Sequence, residues 1–264
     1  MRRILLFVLM LSVLSCNRGG LTMSYHSADI STTEDEHVVL AGFAARDTLS
    51  DGIHQHLFTH CLVLGDGTQK VCIISNDLME ISPDISDTIR TMISERSGLA
   101  LDRILMHNIH THSAPRSGGA SNYTGGTNRA WKERMIAALV DNAVKTIAEK
   151  GKPFTLEVGK GVTDINGNRC EKEGPVDHDV YVARFLQHGK PTVSIVNLAC
   201  HPVCMGAGSY LLSSDYPGVN ARYLSEAWAG KCSSSRAPPA TWTRRKARKG
   251  WTMRSGPARN CPRI

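Results

Sequence analysis

The order of short apolar runs and longer amphipathic runs along residues 24–229 limits the fold of this chain more than any other feature. The runs LFTHCLVL and KVCIISN are rich in β-branched residues, and the intervening GDGTQ predicts that they form a hairpin. The next segment begins at Ser82-Pro83, ends at Gly98 and has apolar residues at helical spacing. Strands are predicted at 57–64, 70–76, 103–109, 154–162, 179–187 and 191–199, and helices at 82–98, 129–150 and 216–229. Because the two types alternate, the pattern predicts an α/β fold: a layered mixed β-sheet with flanking helices.

The composition changes abruptly after Gly230. The segment 231–264 contains ten Lys or Arg and no Asp or Glu, whereas the other residues carry 21 basic and 24 acidic side chains. The net charge of +7 therefore comes from this tail. The tail has no apolar periodicity, so we expect it to be disordered and the sheet to be incomplete at its C-terminal end. Its basic cluster, flanked by Trp242 and Trp251, leaves open a protein that binds anionic ligands.

The first residues have the pattern of an export signal. Arg2 and Arg3 precede an apolar run of eleven residues, which is too short to span a bilayer. The sequence VLSC then resembles a bacterial lipobox, in which Cys16 is acylated. We therefore expect a signal peptide at 1–15, a linker at 16–25 and an exported lipoprotein held at a membrane surface, with plain secretion as the alternative. Export makes nucleic acid an unlikely partner.

Three histidines lie at the end of the predicted strand at 103–109 or just after it, in the stretch HNIHTHSAPRSGG. His110 and His112 are two residues apart, so their side chains point the same way if the strand continues. His201 comes 91 residues after His110, also at the end of a predicted strand. Imidazoles at strand ends can share a metal ion, although a catalytic zinc site uses three protein ligands and an open position. The alternative is a polar loop that happens to contain histidine; His107 is expected to be structural.

Several segments resemble one enzyme family. HTHSAP is similar to a histidine signature of the neutral/alkaline (non-lysosomal) ceramidases, and six further segments agree in order: LAGFAAR, SNDLMEIS, INGNRC, VDHDVYVARF, NLACHPVCM and SSDYPG. The resemblance covers about residues 26–230. It implies a zinc amidohydrolase that cleaves the N-acyl bond of ceramide-like lipids.

The resemblance also implies roles for individual residues. His110 and His201 match zinc ligands, His112 matches a histidine beside the zinc-bound water, and Arg169 matches an active-site arginine. Arg169 would stabilise oxyanion charge. From the sequence alone, a salt bridge between Arg169 and a nearby carboxylate is an equally good interpretation. Asp77 and Asp215 are candidates for orienting a ligand histidine, although a structural role is favoured for both. Cys200 and Cys204 are alternative metal ligands, less favoured than packing.

Part of the family's pattern is missing. Where the family has a GD-x-S-P motif with the nucleophilic Ser, this chain has the basic tail, and two further zinc ligands are expected beyond it. Codons for the tail, read one base out of step, can encode an apolar strand followed by Gly-Ala-Ala-Gly-Asp-x-Asp-Pro. We therefore expect a frameshifted, truncated and catalytically impaired product. Since the shifted motif carries Asp in place of Ser, a hydrolase of another amide or ester is the alternative.

Overall fold

The computed structural model describes residues 20–117, 129–168, 170–171 and 173–229. The strands are β1 (Thr22–Asp29), β2 (Gly52–Ile53), β3 (Phe58–Gly65), β4 (Lys70–Asn76), β5 (Ile104–Asn108), β6 (Lys152–Pro153), β7 (Thr155–Val162), β8 (Asp179–Gln187), β9 (Lys190–Leu198) and β10 (Leu211–Leu212). The helices are α1 (Pro83–Ser97), α2 (Arg129–Ala148) and α3 (Asp215–Ala229).

The α/β prediction is confirmed, with two main sheets as the layers. The first sheet has the order β5-β4-β3-β1-β6 and is mixed, because β5 pairs parallel to β4 and the other pairs are antiparallel. The second sheet is the antiparallel meander β7-β8-β9. Strands β2 and β10 form a short parallel pair that joins the loop before β3 to the start of α3.

Helices α1 and α2 pack on one face of the first sheet, and the second sheet packs on the other. Cys61 and Val63 of β3 contribute to the core under the helices, whereas Leu62 packs with Phe185 and Val193 of the second sheet. Because β3 lies in the middle layer, both of its faces are buried, which explains its nearly continuous apolar sequence.

The predicted helix boundaries are close to those observed. Pro83 lies at the start of α1, and Gly98 ends it in the left-handed conformation, where its N–H donates to the Ser94 carbonyl. Ile89 and Ile93 are buried on the predicted face of α1. In the part of the chain described here, no helix is long and apolar enough to cross a membrane.

Candidate metal centre

Three histidines from the ends of two strands meet at one point. His110 and His112 follow β5, and His201 follows β9, so the two sheets supply different members of the cluster. The ring centroids are 5.3 Å apart for His110 and His112, 4.9 Å for His110 and His201, and 4.3 Å for His112 and His201. One ligand nitrogen from each ring lies within 4.8 Å of the others, so this three-histidine cluster can hold a metal ion.

His110 is oriented by the loop that follows β4. Its backbone N–H donates to the Leu78 carbonyl at 2.9 Å, and its Nδ1 lies 3.0 Å from the Met79 carbonyl. A carbonyl can only accept, so Nδ1 carries the proton and Nε2 keeps the lone pair that binds a metal. His110 has a φ of 66°, which is uncommon for a residue with a side chain and typical of functional sites.

His112 is held by the segment LAGFAAR. Gly42 has a φ of +105°, and a Cβ added there would lie within 2.6 Å of three His112 atoms. The Phe43 ring contacts the His112 ring edge to face, with centroids 5.0 Å apart. The His112 N–H donates to the Pro202 carbonyl at 3.2 Å, and Nε2 lies 2.6 Å from His201 Nε2. The loop after β5 is therefore hydrogen-bonded to the loop after β9.

Arg46 joins three loops around the cluster. Its side chain is only 5% exposed, and Nη1 donates to the carbonyls of Ala41, at 3.0 Å, and His112. Its other terminal nitrogen donates to Ser113 Oγ at 3.4 Å and to the Gly206 carbonyl at 3.2 Å. Only a planar guanidinium offers several donors in this fixed arrangement. Neither Arg46 nor Gly42 is predicted from the sequence as a site residue.

The first turn of α3 holds the loop that carries His201. The Tyr216 hydroxyl donates to the Cys200 carbonyl at 2.7 Å, and burial raises the pKa of Tyr216, which keeps this donor protonated. Asp215 Oδ2 accepts from the Met205 N–H at 3.0 Å, and Oδ1 accepts from the Tyr216 N–H at 2.7 Å. Asp215 therefore acts on the His201 loop through backbone groups, in keeping with the structural role favoured for it. Cys200 is buried, as expected for packing, and Cys204 is exposed.

Comparison with known proteins identifies the family. The profile of the N-terminal part of neutral/alkaline non-lysosomal ceramidase matches residues 24–241, which extends past the predicted boundary at residue 230. The chain belongs to this family. The matched segment contains all three histidines of the cluster, as well as Gly42 and Arg46.

Two solved ceramidase structures have the same fold. The crystal structure of neutral ceramidase from Pseudomonas aeruginosa superposes with a TM-score of 0.74 at 17% identity, over 84% of this chain and 38% of that chain. A ceramidase complexed with C2 superposes with a TM-score of 0.72 at 16% identity, over 85% of this chain and 37% of that chain. The chain thus spans well under half the length of these family members.

The Asp77 carboxyl group is hydrogen-bonded to the backbone at the start of β3. Its Oδ2 accepts from the Phe58 N–H at 3.0 Å, and the side chain lines a cavity together with His54, His56 and His60. Of these histidines, His60 is buried in β3. Burial is the main cause that raises the Asp77 pKa from 3.8 to about 7, and the negative charge of Asp29 adds to it.

We expect Asp77 to make the stability of the chain depend on pH. Because its folded-state pKa is raised, the folded chain binds more protons than the unfolded chain between about pH 4 and about pH 7. Its contribution to stability is therefore complete below about pH 4 and is lost as the pH rises to about 7, with a slope of at most about 1.4 kcal/mol per pH unit. Urea unfolding of wild type and Asp77→Asn at about pH 5 and about pH 8 measures this pH dependence. The free energy of unfolding of the variant should lack this slope.

Asp66→Asn is the matched control for this measurement. Backbone N–H groups lower the Asp66 pKa to about 2, so Asp66 stays ionised across the same range. The difference in unfolding free energy between the two pH values should be the same for Asp66→Asn as for wild type. An Asp77→Asn variant with the wild-type pH dependence would contradict the prediction.

Most of the remaining predicted features lie outside the part of the chain that the structure describes. Arg169 and the lipidation site Cys16 lie outside the described residues, as do the signal peptide and the basic tail. His107 lies on β5 outside the cluster, and burial lowers its pKa, which keeps the imidazole neutral.

Proposed function

We propose that the three-histidine cluster binds a zinc ion and serves to hydrolyse the N-acyl amide bond of a ceramide-like lipid. The convergence of His110, His112 and His201 carries this proposal, because one ligand atom of each lies within 4.8 Å of the others. The donor set fits the ion, since neutral imidazoles suit zinc. Membership of the ceramidase family supports the substrate class.

Each histidine has a distinct role in this proposal. A zinc ion, when bound, polarises a carbonyl group and lowers the pKa of water. His110 and His201 provide ligand nitrogens, and the Met79 carbonyl fixes the tautomer of His110. His112 presents Nε2 to the same point: it takes a proton from the water whose oxygen bonds to the amide carbon, and it gives that proton to the amine nitrogen as the C–N bond breaks. Arg169 keeps its expected role, stabilising the oxyanion.

We also propose that this chain binds the ion but turns over substrate slowly. The resemblance places the nucleophilic Ser in a GD-x-S-P motif after residue 230, and residues 231–264 do not contain that motif. A site with fewer groups around the reacting atoms loses transition-state stabilisation before it loses binding of the ion.

Metal binding by histidine variants tests the zinc site. Wild type should bind about one zinc ion per chain, and His110→Ala or His201→Ala should lower the affinity at least about 100-fold, because each removes a ligand. Competition with a chromophoric chelator measures this without relying on activity. His56→Ala is the matched control, since His56 lies outside the cluster and should leave the affinity unchanged.

The outcome for turnover is measured separately. Wild type should cleave a fluorescent N-acylsphingosine slowly, and His112→Ala should lose that activity while keeping most of the zinc affinity. No bound zinc in wild type, or equal zinc loss in His56→Ala and His110→Ala, would contradict the site. Cleavage of the corresponding ester and not of the amide would contradict the proposed substrate bond while leaving the metal site standing.

A further inference from the structure

A second cavity lies between the start of β3 and helix α3. Its volume is about 470 Å³, and it is lined by the loop before β3, by Phe58 and His60 of that strand, by Asp77, and by one side of α3. None of the three clustered histidines lines it. The pairing of β2 with β10 fixes the two walls relative to each other, since the His54 and Gln55 N–H groups both donate to the Leu212 carbonyl. The cavity is thus separate from the three-histidine cluster, and the β2–β10 pairing holds its two walls in place.

The floor of the cavity contains a buried carboxyl group with unused acceptor capacity. Asp77 is 3% exposed, Oδ2 accepts from the Phe58 N–H, and no described residue donates to Oδ1. A buried acceptor left without a hydrogen bond destabilises the fold, so such atoms are rare in folded proteins. A molecule in the cavity that donates a hydrogen bond to Oδ1 removes this destabilisation.

The charges around the cavity favour a cation. Asp77 and Glu226 line it, and Asp29 is close enough for its charge to act on Asp77. Arg222 is the basic residue of the lining, and its Nε is 4.0 Å from Glu226 Oε1. Two of the three lining histidines are engaged by neighbours: His56 Nδ1 lies 2.8 Å from Asp29 Oδ2, and His60 Nδ1 lies 2.8 Å from the Tyr25 hydroxyl. The described carboxylates therefore outnumber the guanidinium at this site.

The shape and lining favour an organic cation over a metal ion. In the described ranges, the one group of three or more metal-binding side chains within reach of one another is the three-histidine cluster, which lies outside this cavity. Phe58 and Ala221 provide apolar wall above the carboxyl group. A volume of this size accommodates a small organic molecule.

We propose that this cavity binds a small organic molecule carrying an ammonium group, which donates to Asp77 Oδ1 while its apolar part contacts Phe58 and Ala221. The site does not depend on the metal centre or on the proposed amide hydrolysis.

Benzylamine is the probe that tests this site, with benzyl alcohol as its uncharged counterpart of the same shape. Isothermal titration of the full chain at about pH 8, where Asp77 is largely ionised, should show saturable binding of benzylamine and at least about tenfold weaker binding of benzyl alcohol. Asp77→Asn should weaken benzylamine binding at least about tenfold, because the amide keeps the shape and loses the charge. Ala221→Phe should abolish it by filling the cavity.

Two controls separate this site from the metal centre. His110→Ala should leave benzylamine binding unchanged, and Asp87→Asn, which removes an exposed carboxylate on α1, should also leave it unchanged. Absence of saturable binding at millimolar concentrations would overturn the proposal. Equal affinities for benzylamine and benzyl alcohol, or for wild type and Asp77→Asn, would do the same.

Discussion

Replacing Gly42 by alanine is expected to lower the affinity of the three-histidine cluster for zinc by about 10–100-fold, the usual effect of disturbing the groups that orient a metal ligand. The added Cβ would lie within 2.6 Å of Cβ, Cγ and Nδ1 of His112, so the ring must move. His112 cannot move freely, because Phe43 contacts its ring and Arg46 and the Pro202 carbonyl hold its backbone. The displaced ring is pushed against His201, whose Nε2 lies 2.6 Å from His112 Nε2, and so moves that zinc ligand, whereas His112→Ala removes the ring and leaves His201 in place.

Gly189→Ala separates this contact from backbone strain. Gly189 also has a positive φ, at +72°, but an added Cβ there meets nothing within 4 Å. Both variants should lose about 1–3 kcal/mol of unfolding free energy, because alanine is disfavoured at positive φ. Only Gly42→Ala should also lose zinc affinity. If the two variants bind zinc equally well, Gly42 has no special part in placing His112.

Much of the fold could be predicted because its signals are local. The hairpin of β3 and β4 follows from two β-rich runs and a turn sequence, and α1 follows from Pro83, Gly98 and apolar residues at helical spacing. The division into two sheets could not be predicted this way. The sequence LFTHCLVL does not show whether another layer covers one face of the strand or both. Only tertiary contacts show that Leu62 and Val63 belong to different cores.

The histidines of the candidate site could be predicted from the sequence, but the residues that hold them in position could not. His110, His112 and His201 share a recognisable position after strands, where ligands of α/β proteins bind. Gly42 and Arg46 lie about 70 residues before the histidines they support, in a loop, and neither residue type is unusual there. For Asp77 the sequence leaves two roles open, orienting a ligand histidine or supporting the fold, with the second favoured; in the structure its Oδ2 accepts from the Phe58 N–H. Side-chain direction at a strand end depends on packing that a single sequence does not reveal.

Replacing Arg46 by methionine is expected to destabilise the chain by about 2–4 kcal/mol and to weaken zinc binding as well. Methionine keeps the length and apolar part of the side chain, but it leaves the carbonyls of Ala41, His112 and Gly206 without this donor. Bonds from charged donors contribute about 1.5–3 kcal/mol each, and buried acceptors that lose them are costly. A loss of this size still leaves a typical domain folded, so zinc affinity can be measured on the variant.

Two further variants show that the effect comes from joining the three loops. Arg46→Lys keeps the charge but not the planar fork, so it should recover only part of the stability and zinc affinity. Arg90→Met is the matched control: Arg90 also donates to two backbone carbonyls, those of Ile104 and Leu101, at 3.1 Å and 2.7 Å. That variant should lose stability and keep wild-type zinc affinity, because Arg90 supports β5 at the end opposite the histidines. Equal zinc affinities in Arg46→Met and Arg90→Met would mean that Arg46 stabilises the fold without positioning the metal centre.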